Sequence, residues 1–135
     1  MNPPKKRLLV VDDEVSFTRL LKLNLERTGE YEVCVVNGPG EAIEQARRFK
    51  PDLIILDVMM PEVDGGTLAA RFNETHSLEG VPIIFLTAAV RREEVQSRHG
   101  HIGGYPFIAK PVDLKELEAC IKARLNSPDH HTDPA

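Results

Sequence analysis

Acidic, hydroxyl and basic residues follow four apolar segments of this 135-residue chain. Asp12 and Asp13 come directly after LLVV, Asp57 follows LIIL, Thr87 follows PIIFL and Lys110 follows YPFIA. If these segments are parallel strands, their carboxyl ends meet at one edge of a sheet, which is where open α/β sheets bind ligands. Each position alone is typical of a turn or a helix cap. The four together predict a functional site.

Three aspartates at one edge predict a divalent cation. Carboxylates that lie close together raise one another's pKa unless a cation joins them. Carboxylate oxygens and waters suit Mg²⁺, which completes its shell with phosphate oxygens. A lysine and a hydroxyl nearby would bind further phosphoryl oxygens, and an aspartate can itself be the nucleophile that forms an acyl phosphate. The residue types therefore point to phosphoryl chemistry.

The segments that would position these residues are short and continuously apolar: LLVV (8–11), VCVV (33–36), LIIL (53–56), PIIFL (82–86) and YPFIA (105–109). Continuous runs of this kind are typical of strands that are covered on both faces. The residues between them predict helices over 17–25, 42–49, 67–73, 92–98 and 114–125. Alternation of strands and helices predicts a doubly wound α/β sheet with right-handed crossovers.

Local signals refine this pattern. Asp113 is placed to cap the last helix, with Glu116 as its partner in a capping box. Pro106 removes a backbone donor from the fifth strand, which predicts an edge strand or an irregular one. The second strand is followed only by an ordinary turn that begins at Asn37. Glu14 either caps the first helix or lies at the rim of the site.

Composition limits the classes of function. The net charge is −4, which argues against nucleic-acid binding as the main activity because such binding needs a basic face. The first apolar run is too short for a signal peptide, and no segment is long enough to cross a bilayer, so a cytoplasmic location is expected. The length suits one domain over 6–126. The polar segment 127–135 is expected to be a disordered tail.

Four motifs in their order and spacing resemble the receiver domain of two-component response regulators: VVDDE (10–14), LDVMMPEVDG (56–65), LTA (86–88) and FIAKP (107–111). The resemblance implies a flavodoxin-like fold, with five parallel strands in the order 2-1-3-4-5 and helices on both faces. It also implies a stand-alone, single-domain phosphorelay receiver. Such a protein is a phosphoacceptor and not an enzyme with a substrate of its own.

Carried over position by position, the resemblance assigns the acidic residues. Asp57 is the phosphoacceptor. Asp13 and Asp57 bind Mg²⁺ or Mn²⁺ directly, helped by the backbone carbonyl of Met59, and Asp12 acts through a water molecule. Met59 and Ala89 are apolar or small and can neither orient an attacking water nor act as a base, so self-dephosphorylation is expected to be slow.

The same resemblance assigns the residues around the phosphoryl group. Thr87 hydrogen-bonds the phosphoryl group, with Ala88 beside it, and Lys110 pairs with it. Phe107 occupies the position of a switch aromatic, and it is also suited to be a plain core residue. The peptide bond between Lys110 and Pro111 is expected to be cis, as only bonds to proline commonly are.

The implied partners are proteins. The phosphodonor is a sensor histidine kinase or a histidine phosphotransfer protein. The surface of the fourth helix, the fifth strand and the last helix contacts a downstream protein. Because no DNA-binding segment is recognisable after the last helix, direct contacts with nucleic acid are not expected, and neither are membrane contacts. The protein is expected to be a monomer or a weak dimer that forms on phosphorylation.

Other functions are also considered for this sequence. The chain is also compatible with a receiver fragment of a longer regulator or hybrid kinase, or with an interaction scaffold that is not phosphorylated. A phosphohydrolase with an aspartyl-phosphate intermediate would need a proton-transfer group where Met59 stands. A flavodoxin-like binder of a flavin phosphate would need a phosphate-cradling loop where Asp12 and Asp13 stand.

Overall fold

A largely parallel sheet forms the centre of the protein. The computed structural model describes residues 4–60, 65–88, 101–102 and 105–126. Within these residues the strands are β1 Lys6–Val11, β2 Tyr31–Val36, β3 Leu53–Asp57, β4 Ile83–Thr87, β5 His101–Ile102 and β6 Tyr105–Ala109. Five of the described strands are parallel and lie in the order β2-β1-β3-β4-β6. This confirms the predicted strands and their order.

The sheet has one strand that the sequence did not predict. The two-residue β5 pairs antiparallel with β6 and forms the edge of the sheet. In that pairing His101 lies opposite Pro106. The proline that was expected to mark an edge or an irregular strand therefore lies in the last parallel strand, next to a very short edge strand.

Helices cover both faces of the sheet, as predicted. The α-helices within the described residues are α1 Val15–Arg27, α2 Ala42–Phe49, α3 Gly65–Glu74 and α4 Leu114–Asn126. They match four of the five predicted helices. The helix predicted over 92–98 and the tail predicted over 127–135 lie outside the described residues. No helix in the described part of the chain is long and apolar enough to cross a membrane.

Two layers of core side chains hold the helices to the sheet. On one face, alternate strand residues such as Leu9 and Ile54 pack with α2 and α3. On the other face, their neighbours such as Val10 and Ile55 pack with α1 and α4. Because side chains alternate between the faces of a strand and both faces are covered, the central strands are apolar throughout. This double packing fixes the carboxyl ends of the strands.

The start of α4 is set by a side-chain cap. The Asp113 carboxylate accepts hydrogen bonds from the backbone N–H groups of Lys115 at 2.9 Å and Glu116 at 3.2 Å. This confirms Asp113 as the N-cap residue. The cap defines where the loop between β6 and α4 ends, and that loop carries Lys110.

Candidate functional site

Asp12 is held in place by hydrogen bonds from several directions. Its backbone N–H donates to the carbonyl of Val36 at 3.1 Å, which continues the pairing of β1 with β2. Its carbonyl accepts a hydrogen bond from the Asn37 carboxamide at 2.8 Å, and its Oδ1 accepts one from the N–H of Glu14 at 2.9 Å. The residue is fully buried. The position of its carboxylate is therefore dictated by the ends of two strands.

Asp57 is the last residue of β3 and is only 3% exposed. Its Oδ1 accepts a hydrogen bond from the backbone N–H of Met59 at 3.0 Å. The intervening Val58 donates its N–H to the carbonyl of Leu86 at 3.0 Å, which ties the end of β3 to β4. The backbone after β3 therefore orients the Asp57 carboxylate, while the side chain of Met59 projects into solvent and is 61% exposed.

The carboxylates of Asp12, Asp13 and Asp57 lie together at the carboxyl edge of the sheet. One oxygen from each lies within 4.8 Å of the oxygens from the other two. Burial raises the pKa of the Asp12 carboxyl, and the charge of Asp57 adds to that rise, against the opposing effects of Lys110 and the Glu14 amide. The crowding that the strand ends predicted is therefore present, and it disfavours the charged form of Asp12.

Lys110 brings a positive charge into this cluster. Its Nζ lies 2.8 Å from Oδ2 of Asp12, 2.7 Å from Oε1 of Glu14 and 3.8 Å from Oδ2 of Asp57. Burial favours the neutral amine, but the surrounding carboxylates outweigh burial, so the pKa of Lys110 is raised above its ordinary 10.5. The lysine therefore stays protonated at neutral pH and offsets part of the acidic charge.

The donor set fits a small divalent cation. The buried Oδ2 of Asp12 lies 2.8 Å from the Lys110 ammonium, and Lys110 is the one described residue that forms an ion pair with Asp12. Three carboxylates this close together, with a single lysine to offset them, are compatible with a hard cation that binds oxygen. Mg²⁺ prefers such ligands and retains several waters, so an incomplete protein shell is what it needs.

Thr87 and Ala88 lie at the end of β4, on the same edge. Asp57 pairs with Leu86 across the two strands, so Thr87 is the next residue along that edge. The side chain of Thr87 is buried, and its carbonyl accepts a hydrogen bond from the N–H of Lys110 at 2.9 Å. Ala88 is exposed. The structure thus places both residues beside the acidic cluster.

Phe107 is separate from this cluster. It is buried in β6 and packs in the core layer that faces α2 and α3. Lys110, three residues later, is the residue of this segment that contacts the acids. The peptide bond between Lys110 and Pro111 is cis. Ala89, which enters the expectation of slow dephosphorylation, lies outside the described residues.

Sequence reasoning missed two contributors to the site. Asn37, assigned to an ordinary turn, donates to the backbone of Asp12 and also to the hydroxyl of Thr18 at 3.0 Å. Phe17 lies with its ring centroid 4.6 Å from the Lys110 ammonium. The position of Asn37 at the end of β2 was a usable signal, because the five parallel strands all end at the same edge. Phe17 gave no signal, since its spacing marks it as an ordinary residue of α1.

Comparison with known families identifies the family of this domain. The model of the response regulator receiver domain matches residues 8–122. The chain belongs to this family. The strand order and the helices on both faces of the sheet agree with this family, and the family match favours a receiver over the flavodoxin-like flavin binder.

Relatives of this receiver domain include transcriptional regulators. The alkaline phosphatase synthesis transcriptional regulatory protein PhoP of Bacillus subtilis is 40% identical over 121 residues, which cover 89% of this chain and 48% of that protein. The DNA-binding dual master transcriptional regulator RpaA of Synechocystis is 33% identical over 125 residues, which cover 91% of this chain and 50% of the relative. The chain spans about half the length of these curated relatives.

Solved structures agree with the fold. A CheY-like response regulator receiver domain protein from Methanospirillum hungatei superposes with a TM-score of 0.72 at 29% identity, covering 91% of this chain and 95% of that chain. Such coverage at this similarity shows that the receiver domain is matched over nearly its whole length.

Whether Lys110 stabilises the acidic cluster can be tested in the absence of metal. In buffer with EDTA at pH 7, Lys110→Met should lower the free energy of unfolding by about 1–3 kcal/mol, less than for a fully buried pair, because the acids lose their cation while the aliphatic stem is kept. The loss should shrink as the pH falls toward 3.8, because the pKa of Asp12 is raised above that value and protonation removes the unpaired charge. Urea unfolding at several pH values measures both effects.

Lys122→Met is the matched control for this test. Lys122 pairs with Glu30 at 3.8 Å, and both side chains are about half exposed. Its replacement should change stability by no more than about 0.5 kcal/mol at any pH. Equal losses in the two variants at pH 7 would show that Lys110 does not stabilise the acidic cluster.

Proposed function

We propose that this receiver domain accepts a phosphoryl group on Asp57 from a phosphohistidine of a sensor kinase or phosphotransfer protein. The observation that carries the proposal is the convergence of the Asp12, Asp13 and Asp57 carboxylates with the Lys110 ammonium at one edge of the sheet. Such a set holds a nucleophilic carboxylate next to the positive charge that phosphoryl oxygens require.

The transfer needs little covalent chemistry from the protein. A carboxylate oxygen of Asp57 forms a bond to phosphorus, the bond from phosphorus to the donor imidazole nitrogen breaks, and that nitrogen leaves with the electron pair. The backbone N–H of Met59 holds the carboxylate through Oδ1 at 3.0 Å. The Lys110 ammonium neutralises the phosphoryl oxygens. Positioning and charge are the main sources of catalysis in phosphoryl transfer.

We assign the cation site to Asp12, Asp13, Asp57 and the backbone carbonyl of Met59, with Mg²⁺ or Mn²⁺ as the ion. When bound, the cation supplies positive charge that offsets repulsion between the carboxylates and the phosphoryl oxygens. Asp13 supports this assignment, because no described residue forms an ion pair with it, whereas Asp12 already has Lys110.

The change in charge on Asp57 is proposed to act on a two-state element. Thr87, which is buried at the same edge as Asp57, would contact the phosphoryl group, and this contact is proposed to rearrange the end of β4. Phe107, packed in the core of β6, is the proposed partner of that rearrangement. Buried residues in a close-packed core tend to change between discrete arrangements.

The output surface is proposed to include β6 and α4. The fourth predicted helix, its third component, lies outside the described residues. The relatives named above are transcriptional regulators, so the expectation of no nucleic-acid contact is limited to this receiver domain and does not extend to the longer proteins that it resembles. The cytoplasmic location and the oligomeric state stay predictions.

The phosphoacceptor has a direct test. Incubation of the purified protein with Mg²⁺ and acetyl phosphate should produce a single phosphoryl adduct in the intact mass, because a small acyl phosphate can replace the phosphohistidine. Asp57→Asn should abolish the adduct. Asp52→Asn should not, because Asp52 is an exposed aspartate at the start of β3, at the opposite edge of the sheet.

An adduct that persists in Asp57→Asn would assign the phosphoacceptor elsewhere. Absence of any adduct in the unaltered protein would favour the interaction scaffold. Repeated turnover of acetyl phosphate or of a phosphate ester, faster than adduct decay allows, would revive the phosphohydrolase.

The cation site predicts a shift in thermal stability. A ligand that binds only the folded state stabilises it by about 2.7 kcal/mol at a concentration 100 times its dissociation constant. Mg²⁺ should therefore raise the melting temperature of the unaltered protein. Asp13→Asn should lose at least half of this response, yet melt higher than the unaltered protein in EDTA, because one repelling charge is gone.

Asp52→Asn again serves as the control and should respond to Mg²⁺ like the unaltered protein. If Asp13→Asn responds to Mg²⁺ as the unaltered protein does, the assignment of Asp13 to the cation site is wrong. Differential scanning fluorimetry over a range of Mg²⁺ concentrations is sufficient to decide.

Slow self-dephosphorylation is the final part of the proposal. The exposed side chain of Met59 cannot orient a water or transfer a proton. Met59→Asn should shorten the lifetime of the adduct about threefold or more, because a carboxamide can orient water. Met59→Leu is the control and should leave the lifetime unchanged. Equal lifetimes in all three proteins would show that the side chain of Met59 does not control the rate of self-dephosphorylation.

A further inference from the structure

Glu14 makes a short contact with the lysine of the site. Its Oε1 lies 2.7 Å from Nζ of Lys110, in a hydrogen-bonded ion pair that joins residues 96 positions apart. By comparison, Nζ lies 3.8 Å from Oδ2 of Asp57. In this state the ammonium is therefore bound closely to Glu14 and only loosely to Asp57.

The carboxylate of Glu14 has no structural task at the start of α1. Glu14 occupies the N-cap position, but its side chain forms no capping hydrogen bond. Its backbone N–H donates to Oδ1 of Asp12, whose other oxygen pairs with the ammonium. The ring centroid of Phe17, a residue of α1, lies 4.6 Å from Nζ. The lysine is thus in contact with residues at the end of β1 and the start of α1.

We propose that Glu14 is a positioning residue that competes with the phosphoryl group for Lys110. This inference rests on the proposed phosphorylation of Asp57. In this proposal, phosphoryl oxygens on Asp57 attract the ammonium, which now lies 3.8 Å from Oδ2 of Asp57 and 2.7 Å from Oε1 of Glu14, and its contact with Glu14 is lengthened or lost. The lost contact opposes formation of the phosphorylated state, so Glu14 lowers the fraction of protein that is phosphorylated at a given donor concentration.

The competition from Glu14 is expected to be weak, because the Glu14 side chain is 61% exposed. Exposed ion pairs are weak, since water solvates both partners well when they separate. Removal of Glu14 should therefore strengthen phosphoryl binding by about two- to fivefold, which matches the usual strength of an exposed pair. The buried Asp12 is unsuited to this role, because its loss would disturb the acidic cluster itself.

The test uses Glu14→Gln, which keeps the size of the side chain and removes its charge. Beryllium fluoride with Mg²⁺ serves as the probe, because it imitates an acyl phosphate on aspartate without undergoing transfer. Its affinity, measured by ¹⁹F NMR titration, should be about two- to fivefold tighter in Glu14→Gln than in the unaltered protein. Adduct formation from acetyl phosphate should reach half of its maximum at a correspondingly lower donor concentration.

Glu79→Gln controls for the change in net charge. Glu79 is exposed and lies ahead of β4, at the opposite edge of the sheet. Its replacement should leave the affinity for beryllium fluoride unchanged. An equal gain in Glu79→Gln and Glu14→Gln would attribute the effect to overall charge and would contradict the inference.

A second pair of variants tests whether Glu14 acts through Lys110. In a Lys110→Met background the probe should bind more weakly, and adding Glu14→Gln should then change its affinity by less than about 1.5-fold, because the pair is already broken. The full two- to fivefold gain in that background would mean that Glu14 repels the anion directly, which overturns a role through the lysine.

The remaining outcomes separate this inference from the proposed function. If the unaltered protein binds the probe and forms the Asp57 adduct, but Glu14→Gln binds equally or more weakly, only the role of Glu14 is wrong. If the unaltered protein forms no adduct and binds no beryllium fluoride, the proposed phosphorylation fails and the role of Glu14 fails with it.

Discussion

Burial of carboxylates at the edge of an apolar sheet is the constraint on which this structure depends. Asp12 is fully buried and Asp57 nearly so, and both lie within a few ångströms of Asp13. Isolated charges in such a place are strongly unfavourable, so they require a counter-charge. Lys110 supplies it from the opposite end of the sequence. The site is therefore stable only when distant parts of the chain are folded together.

The fold meets this requirement through its two packed layers. The apolar strands β1 and β3 fix the backbone positions from which the aspartates project, and the β2 and β4 carbonyls of Val36 and Leu86 extend that order by one residue beyond each strand. Local turns then aim the carboxylates, through N–H groups two residues further along. The precision of the site is thus a property of strand register.

The positive charge in the site only partly balances its negative charge. Lys110 offers one positive charge to four carboxylates, if Glu14 is included with the three aspartates. A cation would complete the balance. Under the proposed function, a phosphoryl group on Asp57 would change it again by attracting the lysine, and the buried end of β4 at Thr87 would follow that shift. The physical basis is competition between negatively charged groups for the Lys110 ammonium at a partly buried position.

The sequence alone determined the five parallel strands, the four described α-helices and the residue types at the edge of the sheet. Apolar runs ending in Asp12, Asp57 and Lys110 are local patterns, and local patterns suffice to predict strands, their polar ends and a cap such as Asp113. Tertiary structure decided the rest. The pairing of Glu14 with Lys110, the hydrogen bond from Asn37 to Asp12 and the added strand β5 join residues or segments whose approach no local pattern encodes. Such contacts depend on how strands and helices pack, and packing is fixed only when the whole domain is folded.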